Sequence, residues 1–205
     1  MSAPPRSTIP KLSELSLELA TKRLALRPYT LDDVERLWPH VSDPRLMPQM
    51  SWNAHASKDE TRAFVEGSIK GIAENTGIVW SIESGGELAG AIGLHGIKFQ
   101  LSAWRVDRAE LGYWVGIPFQ RRGFGMEAAT EVIRFGFETL GLHKITVGCL
   151  AQNEGSRKII ERLGFRFVGR HEDDVWRDGA WHTHLRYEML ASSYGDIATT
   201  MPVRR

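Results

Sequence analysis

The chain has 205 residues, 42% of them hydrophobic and 25% charged, which is the composition of one soluble globular domain. Its net charge is +1 and its basic residues are spread along the chain, which argues against nucleic acid as a direct partner. It has no apolar run of about 18 residues to cross a membrane and no apolar stretch near the N-terminus to act as a secretory signal, so a cytoplasmic protein is expected. The single cysteine, Cys149, agrees with a reducing compartment and reads as a small buried strand residue.

Residues 1–16, with three prolines and several serines, read as an N-terminal tail; a single domain follows over 17–190, and 191–205 read as a C-terminal tail. Leu24 and Leu26 alternate with polar residues as a first strand that Pro28 stops. Thr30 offers a helix cap with Asp33 in the first turn, and Leu31, Val34, Leu37 and Trp38 give that helix an apolar face to about His40. Residues 42–56 carry two prolines and no period. Met47, Met50 and Trp52 in this loop either plug the core or line the mouth of a substrate site. Ser57 and Glu60 form a capping box that opens a second helix, ending near Gly77. Strands over 78–82 and 88–99 flank the hairpin signal Ser84 to Glu87, and residues 104–107 mark another turn. Core packing accounts for most of the seven tryptophans.

A strand over 109–115 then meets Pro118, which has no N–H for a ladder, and the turn Gln120 to Gly125. From Met126 the spacing is helical to Gly141, so Gly123 and Gly125 fall where the first free amides of that helix point outward. Such amides, at the positive end of the helix dipole and beside Arg121 and Arg122, attract a phosphate. A buried strand over 144–150, a helix over 153–163 capped by Gly164, and two strands over 165–172 and 181–190 around the turn Arg177 to Gly179 complete the chain. These elements give an α/β (α+β) fold, a mixed and largely antiparallel central sheet with helices on both faces.

The turn also fits a dinucleotide fingerprint, since Gly123, Gly125 and Ala128 have the spacing Gly-x-Gly-x-x-Ala. That alternative needs an acidic residue near the end of the next strand, and residues 144–150 hold none.

The turn resembles the pyrophosphate loop of the GNAT family of acyl-CoA N-acyltransferases, Gln/Arg-x-x-Gly-x-Gly/Ala between a strand and a helix. The resemblance continues through residues 151–156 and 162–165, and through 21–28, which is similar to the opening strand of the ribosomal-protein N-terminal acetyltransferase branch. It implies a sheet split in a V between the strands ending at Val115 and Leu150, and acetyl-CoA as co-substrate without a metal. Gln120, Arg121, Arg122, Gly123, Phe124, Gly125 and Met126 would hold its pyrophosphate. Val115, Asn153 and Ser156 would hold the pantetheine arm, and Arg157 and Lys158 the 3′-phosphate.

Acetyl transfer to an amine needs a polarised carbonyl, a proton for the thiolate and a base. The resemblance assigns the first two to the Val115 amide and Ser156; Glu110, in phase with Gly112 and Trp114 on the central strand, is the candidate base, with His182 or His184 as alternatives. Many members carry a tyrosine at the position of Ile160, and the branch often has an aspartate at Thr183; neither is present here. The acceptor site would include Met47, Met50, Trp52, Glu110 and His182. A peptide or protein N-terminal amine is the expected acceptor, with a small-molecule amine or a catalytically weak acyl-CoA-binding module as alternatives; a homodimer is admitted.

Overall fold

The computed structural model describes residues 5–177 and 179–198, with the side chains of 196–198 left out. Eight strands form one sheet in the order β1-β2-β3-β4-β5-β6-β8-β7. They are β1 (Leu19–Ala20), β2 (Ala25–Pro28), β3 (Ile78–Ser84), β4 (Glu87–Leu101), β5 (Trp104–Val115), β6 (Lys144–Leu150), β7 (Arg166–Arg177) and β8 (Ala180–Leu190). The helices are α1 (Asp33–Val41), α2 (Lys58–Ala73), α3 (Phe124–Arg134), α4 (Glu154–Arg162) and α5 (Ala191–Ala198). Only β5 and β6 run parallel, and their pairing stops at Leu111 opposite Val147. Beyond that pair, β5 continues to Val115 along β4 and β6 continues to Leu150 along β8, so the sheet opens into the expected V.

Two apolar layers hold the sheet. The face bearing α3 and α4 packs Leu111, Val132, Ile133, Val147 and Ile160, with Trp80 and Phe135 edge to face at 5.4 Å. The face bearing α1 and α2 packs Val34, Leu37, Val65, Val79, Ala91 and Trp114. The β3–β4 turn is Gly85 and Gly86, both at positive φ as a two-residue hairpin of this hand requires.

Several local expectations are corrected. α1 starts at Asp33 without a side-chain cap: the Thr30 hydroxyl, expected as the cap, donates to the Asp33 carboxylate, which also accepts from the Thr30 amide at 2.9 Å. Asp33 is also buried and bonded to Arg27 on β2 and Arg36 on α1, both of which pair with Glu83 on β3. Burial pushes the Asp33 carboxyl up, but Arg27, the Thr30 amide and Arg36 together hold it below the ordinary carboxylate range. The helix expected to run to Gly141 leaves α-helical bonding at Arg134 and continues as a π-helix over Phe135–Thr139, where Leu140 donates to the Phe135 carbonyl. The turn expected at 104–107 lies one step earlier, at Ser102 with φ 52°, and Trp104 begins β5 with its side chain exposed. Of the seven tryptophans, Trp80 and Trp114 are buried; Trp104, Trp176 and Trp181 are exposed, the last two edge to face at the end of the β7–β8 hairpin. The turn expected over Arg177 to Gly179 includes Asp178, which lies outside the described residues.

Within residues 5–16, Leu12 is fully buried, its amide donates to Asn75 Oδ1, and Arg6 donates to the carbonyls of Glu138 and Thr139. At the other end Tyr194 of α5 stacks on Phe137 at 4.9 Å. Both segments therefore pack on the domain.

Candidate active site

The parting of β5 and β6 leaves a continuous cleft of about 1560 Å³ through the sheet. Alternation along β5 assigns its side chains to the two sides. Leu111, Tyr113 and Val115 face α3 and α4, whereas Glu110, Gly112 and Trp114 face α1 and α2. The backbone alternates as well. The Gly116 amide donates to the Ala89 carbonyl on β4, and in an antiparallel ladder the preceding residue then turns its own N–H and C=O away from that partner. Val115 thus directs its amide toward the edge that β6 has left. Its carbonyl points the same way and accepts from Gln120 Nε2 at 3.1 Å.

On the α3 side, the turn after β5 delivers a helix start to the cleft. Arg121 and Gly123 both have positive φ, and Gly123 is the N-cap of α3 without a side-chain cap. The first helical bond is from the Glu127 amide to the Gly123 carbonyl, so the amides of Phe124, Gly125 and Met126 have no acceptor within the helix. Gly125 keeps the approach open, because a side chain there would head toward Val115, Tyr113 and Ile159, each within 3.8 Å of an added Cβ. A cation that sequence reading missed also arrives. Arg23, from the β1–β2 turn, bonds the Arg122 carbonyl at 2.9 Å and pairs with Glu127 at 2.6 Å, which places its guanidinium beside Gly123.

Across the gap, α4 begins at Asn153, whose Oδ1 accepts from the Ser156 amide at 3.0 Å and whose Nδ2 donates to the Gln49 carbonyl at 2.8 Å. One buried side chain therefore caps the helix and ties the 43–52 loop to it. Ser156 Oγ lies 3.0 Å from the hydroxyl of Tyr113, a hydrogen bond that spans the split from α4 to β5. Burial raises the Tyr113 phenol to about 12, with the Ser156 bond opposing, so it holds its proton at neutral pH. Tyr113 was missed as chemistry because in the sequence it is one more apolar position of an alternating strand. Ile160, the position at which the resemblance implies a tyrosine, is buried in the core. Cys149 also lines the gap, and burial raises its thiol to about 11, which keeps it a neutral thiol.

On the α1–α2 side, Glu110 stands opposite His95 of β4. The His95 ring lies over Gly93 and Gly112, within 3.2 Å of where either would carry a Cβ, and at Gly93 the Ile78 carbonyl oxygen is closer still, at 2.8 Å. Desolvation lowers the His95 pKa, with the charge of Glu110 opposing, and the imidazole is neutral at pH 7. Arg186 bridges Glu110 and Asp174 at 3.3 Å each, and Asp174 also lies 3.5 Å from His184 Nδ1. His184 is buried beside Gly148, and desolvation followed by the charge of Arg186 lowers its pKa. Thr183 bonds Glu172, away from this group.

The cleft gathers Met50, Trp52, Glu110, Val115, Asn153 and Ser156 with Gln120, Arg121, Gly123, Phe124, Gly125 and Met126. Five expected site residues line other surfaces. Arg122 folds over Phe119 and donates to the Pro118 carbonyl; Arg157 and Lys158 pair with Glu161 and Glu154 one turn away on α4. The Met47 carbonyl accepts from Arg177, and His182 contacts Gln152 at 3.1 Å and the Arg177 carbonyl at 3.2 Å. Arg177 also reaches the Met50 carbonyl, so it fastens the 43–52 loop to the β7–β8 hairpin.

The cleft sets the unpaired amides of a helix start on one side against Glu110 and His95 on the other. A family model described as the acetyltransferase (GNAT) domain matches residues 23–166, and the chain belongs to that family of N-acetyltransferases. It is 29% identical over 163 residues to the uncharacterized N-acetyltransferase YoaA of Bacillus subtilis, covering 78% of this chain and 89% of that one. It is 35% identical over 75 residues to the [ribosomal protein uS5]-alanine N-acetyltransferase of Escherichia coli, covering 37% and 39%. The fold matches that of RimL, the ribosomal L7/L12 alpha-N-protein acetyltransferase solved with coenzyme A, with a TM-score of 0.75 at 20% identity over 83% of this chain and 95% of that one.

Proposed function

We propose that the protein transfers the acetyl group of acetyl-CoA directly to the α-amino group of a peptide or protein N-terminus. The observation that carries this reading is the pair of hydroxyls, Tyr113 and Ser156, bridging the split between a phosphate-ready helix start and a basic group. The complexed coenzyme A of RimL and the protein acceptor named for the uS5 enzyme support it.

In this reading the amides of Arg121 to Met126, with Arg23 beside them, hold the pyrophosphate. The Val115 amide polarises the thioester carbonyl. Glu110, with the neutral imidazole of His95 opposite it, removes the proton that the amine must lose. As the new C–N bond forms and the C–S bond breaks, Ser156 supplies a proton to the thiolate, its own hydroxyl backed by Tyr113. Asn153 holds the acceptor loop to the cofactor helix. Arg157 and Lys158 are the cations available to a 3′-phosphate lying over the outer face of α4.

The charges on the acceptor walls are largely paired among themselves: Asp43 with Arg45, Asp174 with Arg186, and Arg170 with Glu172. A polyamine, which needs several converging carboxylates, is therefore a poorer fit than a peptide. Thermal stabilisation by acetyl-CoA, larger than that by NADH, is the expected first result; equal stabilisation by NADH removes the reading. Thiol release is then followed with short peptides, polyamines and aminoglycosides, and turnover of the small amines alone removes the peptide acceptor.

A further inference from the structure

On the α1–α2 side of β5 the cleft forms a largely apolar chamber. Val79, Ala91 and Trp114 form its floor, Phe64 of α2 one wall, and Met50 and Trp52 the cover. His55 joins the two walls, its ring 5.8 Å from that of Trp52 and 5.9 Å from that of Phe64, and its Nδ1 is held by Thr61 Oγ1 at 3.0 Å. Among the described residues, Glu110 is the one carboxylate lining this end; the other lining carboxylates, Glu127, Glu131 and Glu154, belong to α3 and α4. The cover is fixed from outside, by Asn153 on the Gln49 carbonyl and Arg177 on the carbonyls of Met47 and Met50, so the loop's polar backbone is engaged with α4 and β7.

An apolar chamber that opens beside a carboxylate and an imidazole suits one kind of amine. We propose that the acceptor carries a large apolar or aromatic group next to its amine, which for a peptide is a first residue such as leucine, methionine or phenylalanine, seated among Phe64, Trp52 and Trp114 with the amine at Glu110 and His95. This deepens the proposed function and rests on it. A small first residue leaves the aromatic walls in contact with trapped water and gains none of the burial. An acidic first side chain would be stripped of water beside Glu110, with no Lys or Arg among the described residues lining this end. Loss of several methylenes' worth of contact predicts a preference of about tenfold to hundredfold in kcat/KM for leucine or phenylalanine over alanine or glycine.

The test uses one peptide sequence varied at its first residue through Leu, Phe, Met, Ala, Ser, Gly and Asp, with thiol release as the rate and tryptophan fluorescence in the presence of coenzyme A as the binding readout. The expected result is a ranking led by Leu, Phe and Met in both. Trp52→Ala and Ala91→Leu, the first opening the chamber and the second filling it, should each move the Leu to Ala ratio toward one; if Ala91→Leu does not fold, Trp52→Ala carries the comparison. Equal or better use of Ala, Ser, Gly or Asp overturns the proposal. Ranked binding without turnover of any peptide keeps the chamber and removes the acetyltransfer reading instead. Unranked binding without turnover removes both.

Discussion

The two sides of β5 are built from alternate residues of one six-residue stretch and present opposite chemistry. On the side of α3 and α4, Tyr113 meets the Ser156 hydroxyl, and the free amides of the α3 start lie beside the Arg23 guanidinium, groups that donate hydrogen bonds. On the side of α1 and α2, Glu110 and the neighbouring His95 are acceptors beside an apolar chamber. In the proposed mechanism, a strand with a period of two separates the proton donor from the proton acceptor without any intervening element. Proton supply and proton removal are therefore expected to respond independently to mutation and to pH.

The largest expected effect is structural and concerns the wall of the acceptor side. Asp33→Ala removes the buried carboxylate that joins α1 to β2 and β3, and should cost about 3 kcal/mol in denaturant unfolding, the low end for a broken buried pair because Glu83 still faces Arg27 and Arg36. The folded-state pKa of Asp33 lies below the ordinary value, so its contribution is fully present above about pH 4 and is lost as pH falls through the depressed value. Wild type and Asp33→Ala should therefore converge in stability on acidification.

On the donor side, Ser156→Ala should lower kcat by about 10²-fold with acetyl-CoA affinity nearly unchanged. Tyr113→Phe should cost less, about tenfold, and the double variant should fall short of the product of the two, because the hydroxyls act as one bonded pair. Poorer cofactor affinity with unchanged kcat would make Ser156 a binding residue only. On the acceptor side, Arg177→Ala frees the cover of the chamber and should raise the acceptor KM several-fold while leaving the acetyl-CoA KM in place, the smallest of these effects.

Much of the fold was legible from local rules. The Ser57 hydroxyl accepts from the Glu60 amide as the capping box requires, although the Glu60 carboxylate reaches Ala56 instead of the cap residue. Gly164 has φ 85° and Phe165 donates to the Ile160 carbonyl, the expected C-cap. The turn before α3 was legible for the same reason, since glycine spacing and helix start are adjacent in the chain. What stayed hidden depends on contacts between distant segments. Leu12 looked like part of a tail because nothing local predicts that Asn75 will anchor it from both sides, at the Leu12 amide and the Pro10 carbonyl. Tyr113, His95 and Arg23 become site residues only when β4, β5, α4 and the β1–β2 turn are brought together. A neutral histidine opposite a glutamate is a register fact, and register is set by the whole sheet.

The division of labour across β5 is tested most directly by the pH dependence of kcat/KM for wild type, Ser156→Ala and Glu110→Gln on one peptide acceptor. An α-amine has a pKa near 8, so above that value the acceptor arrives already deprotonated and a base has less to do. The account predicts that the Glu110→Gln deficit shrinks as pH rises through about 8 while the Ser156→Ala deficit stays constant. A Glu110→Gln deficit that is independent of pH, or a Ser156→Ala deficit that vanishes at high pH, would contradict it.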